Sequence, residues 1–181
     1  MKYSILALLL PFLPGCIPAQ IHSAEEISKF YKGICSDFFP DGLEILEYYS
    51  DPEEYTKYTS GETAPGHLAN FSTVIHEAQH GYENQECGGT WECTGIYLGD
   101  GIHIAVMHGL VYDTRELDKV LPDADVYREE IFRYDPYIFS EDGLEISSHT
   151  DGIYGLLEEM NAYYLGARAT LETWAWFERE Y

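Results

Sequence analysis

The sequence predicts an α+β fold that is mainly helical, with a small antiparallel β-hairpin and a long C-terminal helix. Three observations carry this reading. Apolar residues recur at helical spacing after residue 23 and again from about residue 152 onward. A Gly-Asp-Gly turn separates two strand-like runs. Clusters of Pro, Gly, Ser and Thr break the remainder into short pieces. With 181 residues and 45% apolar content, the chain is long enough to close one core and too apolar for general disorder.

Taken in order, Ser23 and Glu26 have the form of a capping box, and Ile27, Phe30, Ile34 and Phe38 follow at helical spacing. A first helix is therefore expected to end before Pro40. Leu43 to Tyr49 read as a short strand, and residues 50–66, rich in Pro, Gly, Ser, Thr and Glu, as a surface loop. Asn70 or Ser72 can cap a second helix that runs through His80 to about Glu83. Residues 91–98 and 102–107 read as two strands, joined through Gly99-Asp100-Gly101. Asp113 and Glu116 announce a short helix that Pro122 ends, and another is expected over about 124–133. After an irregular stretch, 135–150, a helical pattern begins near Gly152, with Leu156, Met160, Tyr163, Ala167 and Leu171 on one face. No internal repeat or linker divides residues 20–181.

The charge is far from balanced: 10 Lys and Arg against 32 Asp and Glu give a net −22. A surface this acidic repels phosphate backbones, which excludes nucleic acid as a partner. Residues 1–19 read as a signal peptide, with Lys2 before an apolar run, Tyr3 to Leu13, that is too short to span a bilayer. Leu13-Pro14-Gly15-Cys16 resembles a bacterial lipobox, which would leave Cys16 lipidated as the sole membrane attachment. Ordinary cleavage near Pro18-Ala19-Gln20 is the alternative. Either route implies export, as a periplasmic or cell-envelope lipoprotein or as a secreted protein. In an oxidising compartment the nearest cysteine pair, Cys87 and Cys93, is expected to form a disulfide, leaving Cys35 as a buried thiol.

Residues 76–80 read His-Glu-Ala-Gln-His, an H-E-x-x-H pattern. On a helix, positions four apart lie on one face, so His76 and His80 can reach a single ion, and neutral imidazole favours Zn2+. Glu77 is turned about 100° from His76, which directs its carboxylate toward a water beside the ion as general base, and later as general acid to a leaving amine. A catalytic zinc needs a third protein ligand and an open position. Gly81-Tyr82-Glu83-Asn84-Gln85-Glu86 offers no third histidine after His80, so the ligand is sought further along, in residues 155–163.

There the chain resembles the gluzincin metallopeptidases, whose H-E-x-x-H helix is completed by a distal helix carrying a glutamate, often as Glu-x-x-Ala. His76, Glu77 and His80 match the first element, and Glu159-Met160-Asn161-Ala162 matches the second. The resemblance covers two short helical segments. It implies His76, His80 and Glu159 as zinc ligands, Glu77 as base and acid, and residues 20–181 as one zincin-like domain. It departs from the family in the 79-residue spacing between His80 and Glu159, and in Tyr163 where an Asp is usual. Glu158 is the rival ligand, because adjacent helix positions diverge by about 100° and only one can face the ion. The resemblance also nominates His149 or Tyr154 as a donor to the developing oxyanion. The alternative reads Asp151 as a cap for the helix beginning at Gly152.

The other aromatic and imidazole groups are read structurally: His103 and His108 as turn or surface residues, Trp174 and Trp176 as anchors of the last helix. The sequence thus predicts zinc-dependent hydrolysis of a peptide or protein substrate. A non-catalytic envelope lipoprotein or binding module with the same fold is the alternative, and a non-peptide amide is a third. Retention of Glu77 favours an enzyme, since metal binding alone has no use for that carboxylate.

Overall fold

The computed structural model describes residues 20–90, 92–121, 123–130, 133–139 and 147–180. The signal peptide expected over residues 1–19 and the lipobox expected at Cys16 lie outside the described residues. Helices α1 (Ala24–Phe38), α2 (Pro40–Tyr48), α3 (Pro52–Thr56), α4 (Ala64–Ala69) and α5 (Phe71–Glu86) come first. Strands β1 (Cys93–Gly99) and β2 (Ile102–Met107) follow, then α6 (Thr114–Val120), α7 (Ala124–Glu130), a π-helical turn (Asp135–Phe139), α8 (Ser147–Thr150) and α9 (Ile153–Glu180). The α+β class expected from the sequence is what the chain adopts.

The first helix starts on its capping box: Ser23 Oγ accepts from Glu26 N, and Glu26 Oε2 accepts from Ser23 N. The segment read as a strand is α2. Pro40 sits in its first turn, and Ile45 and Leu46 pack into the core beside α1. A short apolar run carries no period of its own, and the proline was the better guide. The expected loop 50–66 likewise contains α3, capped by Asp51 with Pro52 behind it, and the start of α4, capped by Thr63. The hairpin forms as expected, antiparallel with Cys93 opposite Met107, and Gly99, Asp100 and Gly101 all take positive φ in its turn. The Cys87–Cys93 disulfide ties the end of α5 to the start of β1, and Cys35 is a buried free thiol.

The most extensive packing in the molecule is between α5 and α9. The face of α9 that packs is not the one the apolar pattern selected. Met160, Tyr163 and Leu171 are exposed, while Ala162, Leu165, Ala169 and Thr173 are buried. Small residues at spacings of three and four let two helices approach closely, so the larger apolar side chains are left on the outer face. At the closest point, a Cβ on Gly166 would lie 2.6 Å from the carbonyl oxygen of Ser72 on α5. Trp176 meets Phe30 edge-on at 5.7 Å and anchors the helix as expected, whereas Trp174 is 55% exposed.

Strand β1 lies against both helices. Asn161 of α9 treats it as a neighbouring strand would: Asn161 Oδ1 accepts from Tyr97 N at 2.9 Å, and Asn161 Nδ2 donates to Tyr97 O at 3.0 Å. Tyr97 donates its phenol to Asp41, which also accepts from Asp100 N and from Arg168 of α9 at 2.7 Å. This node locks α2, the hairpin and α9 together. Burial works to raise the Asp41 carboxyl, but the donors from Asp100, Tyr97 and Arg168 outweigh it and hold it below its usual range.

Two outcomes follow. Gly166→Ala forces the helices apart and should cost about 1–3 kcal/mol in denaturant melts. The stability that Asp41 contributes is complete above its unfolded pKa of about 3.9 and is lost as pH falls through its lower folded value. Asp41→Asn should therefore lower stability at pH 7 by about 2 kcal/mol and lessen the further loss seen in acid, as read by chemical denaturation from pH 7 downward.

Candidate metal centre

On α5, Val74, Ile75, Ala78, Gln79 and Tyr82 are buried, which turns His76, Glu77 and His80 toward an open cleft of about 810 Å³. The opposite wall is α9, with Glu158, Glu159 and Tyr163, and a further side is formed by Arg133 and Tyr137. Nε2 of His76 and Nε2 of His80 face each other at 3.2 Å. The Glu159 carboxylate straddles them, with Oε2 at 3.5 Å from His76 Nε2 and Oε1 at 3.8 Å from His80 Nε2.

These distances suit a tetrahedral ion. With zinc–nitrogen and zinc–oxygen bonds of about 2.0–2.1 Å, two donors on one ion sit about 3.3 Å apart. Glu159 Oε2 is also buried with no hydrogen-bond partner, an arrangement that costs free energy unless something else satisfies it. Two imidazoles and one carboxylate are a donor set that fits zinc with one position left open.

Glu158 faces a different atom. Its Oε1 lies 2.9 Å from Nδ1 of His80, so it accepts the Nδ1 proton and leaves the Nε2 lone pair directed into the site. The rival pair thus divides the work: Glu159 faces both Nε2 atoms, and Glu158 orients one imidazole. His76 has no such clamp, since its Nδ1 is buried without a partner. Burial, the nearby His80 and Arg133 push His76 down to about 4, so it is neutral with its lone pair available at pH 7. Burial would lower His80 too, but the Glu158 hydrogen bond and the charges of Glu158, Glu159 and Glu77 outweigh it and raise it. Glu159 is raised by burial, against the pull of His80 and of a hydrogen bond from Tyr137.

Glu77 lines the cleft, and its charge, after burial, helps raise the phenol of Tyr58. Tyr163 lays its ring 4.4 Å from that of His76, and its hydroxyl meets Tyr137 at 2.8 Å. The Arg133 guanidinium lies over both tyrosine rings, 5.2 Å from Tyr163 and 5.9 Å from Tyr137.

His149 and Tyr154 are not brought to this cleft. His149 is fully buried on α8, away from the residues that line the cleft. Tyr154 stacks on His108 at 4.3 Å, and its hydroxyl accepts from Gly109 N. Neither residue is among those that line the cleft beside Glu159. Arg133 and Tyr137 were missed from the sequence, because they come from just before and within the short π-helical turn, which has no motif of its own. His103 pairs with Glu86 at the far end of α5, and His108 bonds Thr94 Oγ1 at 2.7 Å, both in structural roles.

No protein-family model, curated protein or solved structure matches this chain. Among the described residues, no helix is long and apolar enough to cross a membrane.

The two glutamates should separate cleanly in zinc competition titrations. Glu159→Ala removes a donor and should lose the ion. Glu158→Ala should retain one equivalent with affinity lowered about 10–100-fold. Equal loss in both would contradict the division of roles.

Proposed function

We propose that the chain is a metal-dependent hydrolase of peptide bonds, with His76, His80 and Glu159 as ligands and Glu77 as general base and acid. The observation that carries this reading is the convergence of two Nε2 atoms and one carboxylate within 3.2–3.8 Å at the side of an open cleft. A bound zinc ion would supply Lewis acidity, polarising the scissile carbonyl and easing the deprotonation of water near neutral pH.

Glu77 takes the proton from the attacking water and returns it to the departing amine nitrogen. Glu158 keeps His80 in the tautomer that presents Nε2. The oxyanion role expected of His149 or Tyr154 falls instead to Arg133, a cation on the cleft wall close enough to depress His76. Export belongs to the same reading and rests on the leader-like residues 1–19 and on the Cys87–Cys93 disulfide.

The decisive measurement pairs metal content with cleavage of a mixed peptide library followed by mass spectrometry. Wild type should carry one zinc and cleave. Glu77→Gln should keep the zinc and lose about 10²–10⁴-fold in rate, and Arg133→Ala should lower kcat/KM about 10²-fold with metal content unchanged. Full zinc occupancy with no cleavage by wild type would discard the enzyme in favour of a metal-binding envelope module. Undiminished cleavage by Glu77→Gln would discard the assignment of the base.

A further inference from the structure

Glu158 borders a second space as well as the cleft. This is a void of about 30 Å³ between α5, β1 and the start of α9, lined by Glu83, Thr94, Gly95, His108 and Asp151 together with Glu158. Its volume suits one water or one ion. Its walls carry three carboxylates. Glu83 is only 2% exposed, and while its Oε1 accepts from Gln79 Nε2 at 2.9 Å, its Oε2 is buried with no hydrogen-bond partner.

A buried carboxylate with one oxygen unanswered is expensive in either protonation state. Ionised, it leaves a charge in a medium of low polarity; protonated, it leaves a hydroxyl with no acceptor. Close packing explains why Glu83 cannot move away. Gly95 of β1 brings its own backbone so near that a Cβ there would lie 3.1 Å from Glu83 Cα. Glu83, Glu158 and a ring nitrogen of His80 offer ligand atoms all within 4.8 Å of one another. Two oxygens on a calcium ion, with bonds of 2.3–2.6 Å, can lie up to about 5 Å apart.

The softer donors nearby are already engaged. Cys93 is in the disulfide, Nε2 of His108 is bonded to Thr94 Oγ1, and Nδ1 of His80 is bonded to Glu158. What remains is oxygen, and oxygen donors select hard cations. We propose that this void is a second cation site, distinct from the cleft, in which Glu83, Glu158 and Asp151 hold an oxygen-coordinated divalent cation of the calcium type. Glu158 then serves both sites, with one oxygen on the His80 imidazole and its carboxylate bordering the void. The proposal does not depend on the chain being an enzyme.

The test uses the whole chain after its leader, stripped with chelator, given one equivalent of zinc and titrated with calcium chloride. Bound calcium is counted by equilibrium dialysis, and the melting temperature is followed alongside. Wild type should bind one calcium beyond its zinc and melt at rising temperature as calcium is added. Glu83→Gln, whose side-chain carbonyl still accepts from Gln79, should lose both the calcium and the shift while keeping its zinc. Asp151→Asn should weaken calcium by roughly tenfold, since affinity in such sites follows the count of charged ligands. A wild type that binds no calcium and shows a flat melting temperature overturns the proposal, as does calcium binding that survives Glu83→Gln. Two equivalents of zinc with no calcium overturns the choice of a hard cation. Calcium bound without any zinc would defeat the cleft reading and leave this site standing.

Discussion

The separation of two helices governs everything else in this molecule. Gly166 sets it, because α9 comes so close to Ser72 of α5 that no side chain fits between them. The imidazoles belong to one helix and the glutamates to the other, so the distance between backbones fixes the distance between donors. The remaining contacts hold that crossing from outside. Gln79 reaches Asn161, Asn161 reaches the backbone of β1, and Arg168 reaches Asp41 on α2. Buried polar links of this kind carry direction as well as energy, and they allow α9 one rotation about its axis rather than several.

Charge is the second constraint. Glu77, Glu158 and Glu159 line the cleft, and Glu83 and Asp151 lie just beyond Glu158. Burial pushes Glu83 up to about 10 and raises Glu159 and Asp151 as well. Acids packed this tightly need protons or cations as partners. A chain with net −22 that concentrates carboxylates inside as well as outside spends folding free energy to do so.

The parts legible in the sequence were those with a local rule. The capping box, the Gly-Asp-Gly turn, the neighbouring cysteines and the i, i+4 histidines each act within a few residues, and each is found where expected. Glu159 was reached through the Glu-x-x-Ala pattern, and it lies opposite both histidines. The misreadings have separate causes. The short apolar run of α2 carries no period of its own, while on α9 an apolar count selects the wrong face because close packing prefers Ala162, Gly166 and Ala169 to larger residues. Nothing local marks Arg133 or Tyr137; only the fold brings them to the cleft.

The way the hairpin is joined to the helices has a bearing on how such a molecule can diversify. Both donor-bearing helices are secured from behind, by the disulfide, by Asn161 and by the core. The wall carrying Arg133 and Tyr137 belongs to the chain between β2 and α8, which bears on the cleft from the front. Exchanging that span for another of different length or chemistry would alter what fits against the donors without moving them. Under the proposed function, selectivity and reactivity would thus lie on separate stretches of polypeptide, and one could drift while the other stays fixed.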